Sequence, residues 1–358
     1  MSTGKIYSAS DKSLFDALNQ KKVTNADLRE LFISRGILVS KETSRRDLAK
    51  HFARLFHDYY DYQALARLFG NNNGQRDKLS SLRLKTKATL ENFESGAIEL
   101  RSRLEDSGGA AVKVHTAKGN RLDIEVRYSK TEFNRSEFRQ VRTRTALISI
   151  YKEGDELVVH APHSEESHEW ISEIVKSVIE KTEEPVDFDE IRLSPTMDAK
   201  VKTKFFTHLI RSLPALKLRD VSDVYVTKPK VEKADDDDTD ERGSPEIRID
   251  KASLRGQGVL ESDELELLQK KGFYVSRIIW TCKEEHDTAD VYEFEAQFAT
   301  PDECSDFTFL PRGFYRYLGH GRYNETRTAF SSDHERTLGR LIEESARATI
   351  KNLPGHNA

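Results

Sequence analysis

The run NRLDIEVRY, residues 120–128, constrains the fold more than any other stretch. Leu122, Ile124, Val126 and Tyr128 alternate strictly with Asp123, Glu125 and Arg127. A period of two suits a half-buried strand and fits no helix. Upstream, apolar residues recur every three and four positions instead. Leu14, Phe15 and Leu18 mark one short helix. Leu28, Leu31 and Phe32 mark a second, which Gly36 ends. Leu48, Phe52, Leu55, Phe56 and Tyr59 mark a third. Thr43 and Ser44 stand at the start of the third helix, with Asp47 three residues after Ser44, close to a capping box. GNNNG at 70–74 reads as a turn. LSSLRLKTKATLENFESGAIELRSRLE, 79–105, reads as a connecting helix within 75–108, ended by SGG. A helical head, residues 1–70, therefore precedes a body of another class.

In that body, RTALISIY and ELVVHA predict strands joined by the turn KEGDE. HEWISEIVKSVIEKT predicts a helix with Trp170, Ile171, Ile174, Val175 and Ile179 on its apolar side. A helix over 201–213 and the strand DVYVTK (223–228) follow. Residues 229–246, PKVEKADDDDTDERGSPE, are too densely acidic to pack and read as a linker. Beyond it come the helix SDELELLQKKG, the strand pair FYVSRIIWTCK and DVYEFEAQFA, and a final amphipathic helix over 332–352. The expected fold class is α+β: a small all-α N-terminal domain, then two mixed antiparallel-sheet and helix modules, 109–228 and 247–358. FFTHLIRSLPALKLRDVSDVYVTK and DELELLQKKGFYVSRIIWTCK both read helix then strand, which raises the question of duplicated modules.

A length of 358 residues suits two or three domains. Residues 1–90 hold 17 Lys or Arg against 9 Asp or Glu, a charge of +8. The whole chain is at −4, so the rest carries −12. A basic head on an acidic body suggests a polyanion as the partner of the head. Cys282 and Cys304 form no CxxC and no disulfide framework, which points to a reducing compartment. No signal-peptide core opens the chain, and ALISIY (146–151) is far too short to span a bilayer. The expectation is a soluble intracellular protein, cytoplasmic or associated with the nucleoid or nucleus, with no membrane partner.

HAPHSEESHEW brings three imidazoles, His160, His163 and His168, into nine residues, and imidazole is the commonest neutral metal ligand. The spacing matches no standard zinc pattern. The competing reading is a strand ending at His160 and a helix start capped by Ser164, with Glu165 and Glu166 suiting its N-terminus. A Mg²⁺-dependent nuclease would place carboxylates on neighbouring strands. Asp123 and Glu125 offer one such pair, and Glu293 and Glu295 another. Two carboxylates would hold the ion, and the ion would activate water. Both strands lack the Lys of a Glu-x-Lys step, and alternating charge is also what a one-sided strand displays. No Walker loop, dinucleotide-binding glycine motif, GxSxG or HExxH is present.

FLPRGFYRYLGHGRYNETR (309–327) interleaves Arg312, Arg316 and Arg322 with Phe314, Tyr315, Tyr317 and Tyr323. Rings stack on bases, and guanidinium forks grip phosphate. The alternative is a packed loop whose tyrosines cover the core. In FRQVRTRT (138–145), Arg142 and Arg144 share one strand face, where they either contact phosphate or stand in solvent.

VTNADLRELFISRGILVSKETSRRDLAKHFARL (23–55) resembles the helix–extended loop–helix modules of the LEM and SAP families. The matching features are Leu28 and Leu31, the Arg35-Gly36 stop, the entry Thr43-Ser44-Arg45-Arg46, and Leu48 and Leu55. The loop departs from both. It has no Gly-Pro of LEM loops, and Ser40 rather than Gly precedes Lys41. The resemblance covers about 33 residues and implies binding to DNA or to a DNA-associated protein. Arg46, Lys50 and Arg54 recur every four residues opposite Leu48, Phe52 and Leu55, and Lys41 and Arg45 join them from the loop. The competing reading is a solvated helix face on a small dimerisation domain. The expected function is a cofactor-free, non-enzymatic DNA-binding adaptor whose α+β body engages a protein partner or more DNA. Genome maintenance or defence against foreign DNA would suit such a protein. The alternative is a Mg²⁺-dependent nuclease targeted by the head.

Overall fold

The computed structural model of the chain describes residues 9–20, 23–58, 60–62, 65, 77–108, 110–117, 121–132, 138, 141–194, 196–228 and 249–354. In chain order its first elements are α1 (Asp11–Leu18), α2 (Asn25–Ile33), α3 (Arg45–Ala53), β1 (Leu79–Lys85), α4 (Leu90–Asp106), β2 (Ala110–Ala117), β3 (Arg121–Thr131), β4 (Val141–Glu153) and β5 (Glu156–Pro162). They are followed by α5 (Glu165–Thr182), β6 (Asp187–Glu190), α6 (Ala199–Leu209), β7 (Lys217–Thr227), β8 (Lys251–Arg255), α7 (Asp263–Lys270) and β9 (Tyr274–Lys283). The last are β10 (Val291–Thr300), β11 (Ser305–Tyr315), β12 (Tyr317–Gly319), β13 (Arg322–Tyr323) and α8 (Ser332–Lys351). The α+β class is as expected. The connecting helix is not: residues 79–85 form a strand, and the helix begins only at Leu90.

The chain divides into two compact units, neither of them a single stretch. The first comprises Met1–Gln75, Glu91–Ile148 and Ser172–Glu180. The second comprises Arg76–Leu90, Ser149–Ile171 and Lys181–Ala358. Strand β4 and helix α5 each contribute residues to both. The expected modules 109–228 and 247–358 are therefore redrawn: β7, before the acidic stretch, pairs with β9 beyond it inside the second unit. Both suspected repeats do form as helix then strand, α6–β7 and α7–β9, but their strands are antiparallel neighbours in one sheet. Residues 229–246 and the turn at 70–74 lie outside the described residues.

In the first unit, short side chains start each head helix. Ser10 caps α1, Thr24 and Asp27 form a capping box on α2, and the Ser44 hydroxyl accepts from the Asp47 N–H at the start of α3. Gly36, at φ +71°, closes α2. Its N–H donates to the Ile33 carbonyl and the Ile37 N–H to that of Phe32, the bond pair that a left-handed residue permits. Leu18, Leu28, Phe32, Leu48 and Phe52 are buried together, with the Phe32 and Phe52 rings edge to face at 5.2 Å. Helix α3 stops at Ala53, so Phe56 misses the expected apolar face and stands 99% exposed. Strands β2 and β3 pair antiparallel, with Val112 opposite Val126, and Leu122, Ile124 and Val126 are buried.

The second unit is built on the strand order β4-β5-β1-β11-β10-β9-β7-β8. Strand β6 takes the half of β1 that β11 leaves free. Every described pairing is antiparallel. One sheet face carries Trp280, Phe294, Phe298, Phe307 and Phe309. They share a core with Phe205, Phe206 and Leu209 of α6 and with Leu338, Ile342 and Ala346 of α8. A polar network also ties α8 to the sheet. Glu343, 0% exposed, receives Arg83 Nε at 3.1 Å and Arg347 Nε. Arg83 also reaches Glu153 at 3.1 Å and Glu156 at 3.3 Å, and Arg347 reaches Asp189 at 3.0 Å. Beside it, buried His160 lies 3.3 Å from the Tyr151 hydroxyl.

Candidate nucleic-acid interface

Between α2 and α3 the backbone runs from 34 to 44, with 37–40 free of regular structure. Arg29 holds this segment by donating to the Lys41 carbonyl. Of the five head cations expected to form the contact, Arg45 turns inward. Its guanidinium donates to the Asn19 carbonyl at 2.7 Å and the Val23 carbonyl at 3.3 Å, tying α3 to the α1–α2 connection. Lys41, Arg46, Lys50 and Arg54 stay exposed, and among the described residues none of them has an ion-pair partner. Arg46, Lys50 and Arg54 lie on the solvent side of α3, opposite buried Leu48 and Phe52. Arg35, at the end of α2, is used internally. It binds the Phe56 carbonyl, His57 and Asp61 and lies 5.0 Å over the Phe52 ring.

In the second unit, the sheet face opposite the aromatic core is polar. Glu293 and Glu295 share it on β10, one pleat apart. Glu295 is approached by Lys78 at 2.6 Å and by Arg277 Nε at 2.7 Å, and Arg312 Nε lies 3.8 Å away. Glu293 is held by Arg327, by Arg312 at 3.3 Å and by the Tyr315 hydroxyl at 2.9 Å. Arg277 stacks 4.4 Å over Tyr225. Burial would raise the pKa of Glu295, but the Lys78 hydrogen bond and three neighbouring cations hold it below the usual carboxylate value. Burial lowers the pKa of Lys78, with Glu295 opposing. Four cations meet two carboxylates in this group, so Glu293 and Glu295 are engaged by cations rather than open toward a metal.

Just beyond β11, the β12–β13 hairpin gathers the arginine–tyrosine segment. Tyr317 and Tyr323 stack edge to face at 5.5 Å, and Arg219 of β7 lies 4.6 Å over Tyr323. Arg316 and Arg322 are exposed without an ion-pair partner among the described residues, and Leu318 between them is 59% exposed. Arg312 thus separates from Arg316, Tyr317 and Arg322: it serves the carboxylate network, and they form the tip.

The remaining candidates scatter. Arg144 pairs with Glu132 at 3.3 Å, and the side chain of Arg142 lies outside the described residues. Asp123 pairs with Arg121 at 2.8 Å, and Glu125 stands opposite Lys113 in the β2–β3 ladder. His160 packs against Tyr151 and Phe309, whereas His163 and His168 face each other with ring centres 5.3 Å apart. Among the described residues, no group of three or more His, Cys, Asp or Glu comes together closely enough to hold a metal ion. Lys78, Arg277, Arg327 and Arg219 are isolated cations in the sequence, and no motif or spacing singled them out. No protein-family model matches the chain, and no curated protein does. Among the described residues no helix is long and apolar enough to cross a membrane.

Proposed function

We propose that the chain is a non-enzymatic DNA-binding adaptor. Its head grips the phosphate backbone through Lys41, Arg46, Lys50 and Arg54, and the Arg316–Arg322 hairpin of the second unit is a separate contact for nucleic acid or a protein partner. The observation that carries the reading is the contrast within one small helical head. Arg29, Arg35 and Arg45 are consumed by internal carbonyls and carboxylates, whereas Lys41, Arg46, Lys50 and Arg54 are exposed with no ion-pair partner among the described residues. A surface of this kind attracts phosphate regardless of base sequence.

The test is the affinity of the full chain for a short fluorescent DNA duplex, read by polarisation. Four phosphate contacts predict a loss of affinity of roughly 100-fold between 50 and 200 mM salt. The double variant Arg46→Glu/Lys50→Glu should bind at least about ten-fold more weakly, with an unchanged circular dichroism spectrum. Undiminished affinity in that variant would remove the head from the interface, and no binding at low salt would end the DNA reading. Cleavage of the duplex on adding Mg²⁺ would overturn the non-enzymatic part.

A further inference from the structure

The chain leaving α3 holds an aromatic ring out in solvent. Phe56, at 99%, is the most exposed large apolar side chain among the described residues. The residues around it are fastened inward. The Leu55 N–H donates to the Phe52 carbonyl at 3.1 Å, and the Leu55 side chain packs against the head core. The Phe56 carbonyl accepts from Arg35 at 2.6 Å. His57 sets its ring 5.1 Å from that of Phe52 and its Nε2 3.0 Å from the Phe52 carbonyl. The Asp58 N–H donates to the Asp61 carboxylate at 3.0 Å. With four successive residues fastened, the Phe56 ring is presented in place rather than left on a fraying end. Tyr60, four residues on, is 78% exposed. Cations stand on the N-terminal side. Arg54 lies two residues before Phe56, within about 7 Å along the chain. Lys50 and Arg46 continue the row back along α3 at steps of about 6 Å. All three are exposed with no ion-pair partner among the described residues. The one acid between Arg54 and Tyr60 is Asp58, which accepts from the Asp61 N–H at 2.8 Å. A lone exposed apolar side chain needs no partner. A fixed ring that ends a row of such cations is the arrangement that single strands use: charge for the backbone, and a flat face for a base.

We propose that Phe56 stacks on an unpaired base, so that the head takes single-stranded DNA in preference to duplex. The proposal rests on the DNA reading above and names the form of nucleic acid that the head selects. Arg46, Lys50 and Arg54 follow the phosphates of one strand, and a base of that strand lies against the ring. Only an unpaired base has a free face to offer. Inside a duplex both faces of each base are covered by its neighbours, so there the ring adds nothing and the cations act alone. A second copy of the head fits the ring poorly as a partner, because it would bring like cations face to face.

The experiment compares three fluorescent probes of one sequence at low salt: the single strand, its duplex, and the duplex with an unpaired tail. The full chain should bind the single strand and the tailed duplex more tightly than the blunt duplex. Phe56→Leu keeps an apolar side chain but removes the flat ring. It should weaken binding of the two probes with unpaired bases by roughly 5- to 150-fold and leave the blunt duplex unchanged. Phe56→Trp should keep the preference. Trp170 and Trp280 are buried, so the emission that this variant gains over the unsubstituted chain should be quenched by the single strand and not by the duplex. That signal decides the matter if Phe56→Leu fails to fold. Equal affinity of the unsubstituted chain for all three probes would overturn the proposal. So would a Phe56→Leu variant that binds the single strand undiminished, or one that loses the duplex equally. A Phe56-dependent dimer in sedimentation without DNA would assign the ring to a second copy and overturn it too. If Arg46→Glu/Lys50→Glu loses every probe while Phe56→Leu loses none, the DNA reading stands and the stacking falls. Binding of no probe ends both.

Discussion

His160 and Glu343 titrate within one network, and acid works against both. Burial pushes the His160 pKa down to about 4, with Glu343 opposing and Arg340, Arg347 and Arg83 assisting. The unfolded chain, with an imidazole near 6.5, therefore takes up the proton first. Stability is full above that value and falls as the pH drops toward 4, by an amount on the order of 3 kcal/mol. Urea midpoints measured from pH 7 to pH 4 should trace that fall, and His160→Gln should flatten it. Glu343 adds to the loss at lower pH. Burial would raise its pKa, but Arg83 and Arg347 hold it lowered, so its contribution is present at neutral pH and disappears as acid protonates it. Removing the charge outright leaves two nearly buried guanidiniums competing for Glu153, Glu156 and Asp189. Glu343→Gln should therefore cost about 3 kcal/mol in urea unfolding at pH 7. A cost under ~1 kcal/mol would mean that the surrounding carboxylates suffice.

At the scale of elements, β11 has one backbone position that only glycine can occupy. Gly313 sits at φ +136° where the β10–β11 register shifts, and a Cβ there would stand 2.3 Å from the Thr328 carbonyl oxygen. Gly313→Ala should cost about 2 to 4 kcal/mol, because backbone rather than a pliant side chain must move; an unchanged urea midpoint would show that the backbone at Thr328, bridged to Phe314, yields freely. That constraint was invisible in FLPRGFYRY, where the glycine reads as ordinary loop freedom. Elements with one wet face were legible: β3 from its alternation, and α5 and α8 from their apolar sides. Strand β1 was not. LSSLRLK spaces Leu79 and Leu82 like a helix, and a strand flanked by β5, β11 and β6 has no clean polar face to display. The charged sites divided in the same way. Exposed Arg46, Lys50 and Arg54 could be found by local spacing. The Lys78–Glu295 and Arg83–Glu343 pairs join residues more than two hundred positions apart, which no local pattern encodes.

At the scale of the molecule, β4 and α5 run unbroken from one unit into the other, so melting either unit removes part of elements on which the other depends. Both tryptophans, Trp170 and Trp280, belong to the second unit and are buried. Their fluorescence therefore reports that unit, whereas far-ultraviolet circular dichroism reports both. The two signals should share one midpoint in urea, and separate midpoints would mean that the units melt independently. The pairing of β1 also sets a timetable. Leu79 and Ser80 lie opposite Phe309 and Thr308, so a strand made early meets one of its neighbours only after some two hundred further residues are translated. At a typical elongation rate of about 5–20 residues per second, that part of the strand edge waits roughly 10 to 45 seconds on the ribosome. During this interval it is an unpaired edge on a nascent chain, open to chaperones and to the edges of neighbouring nascent chains.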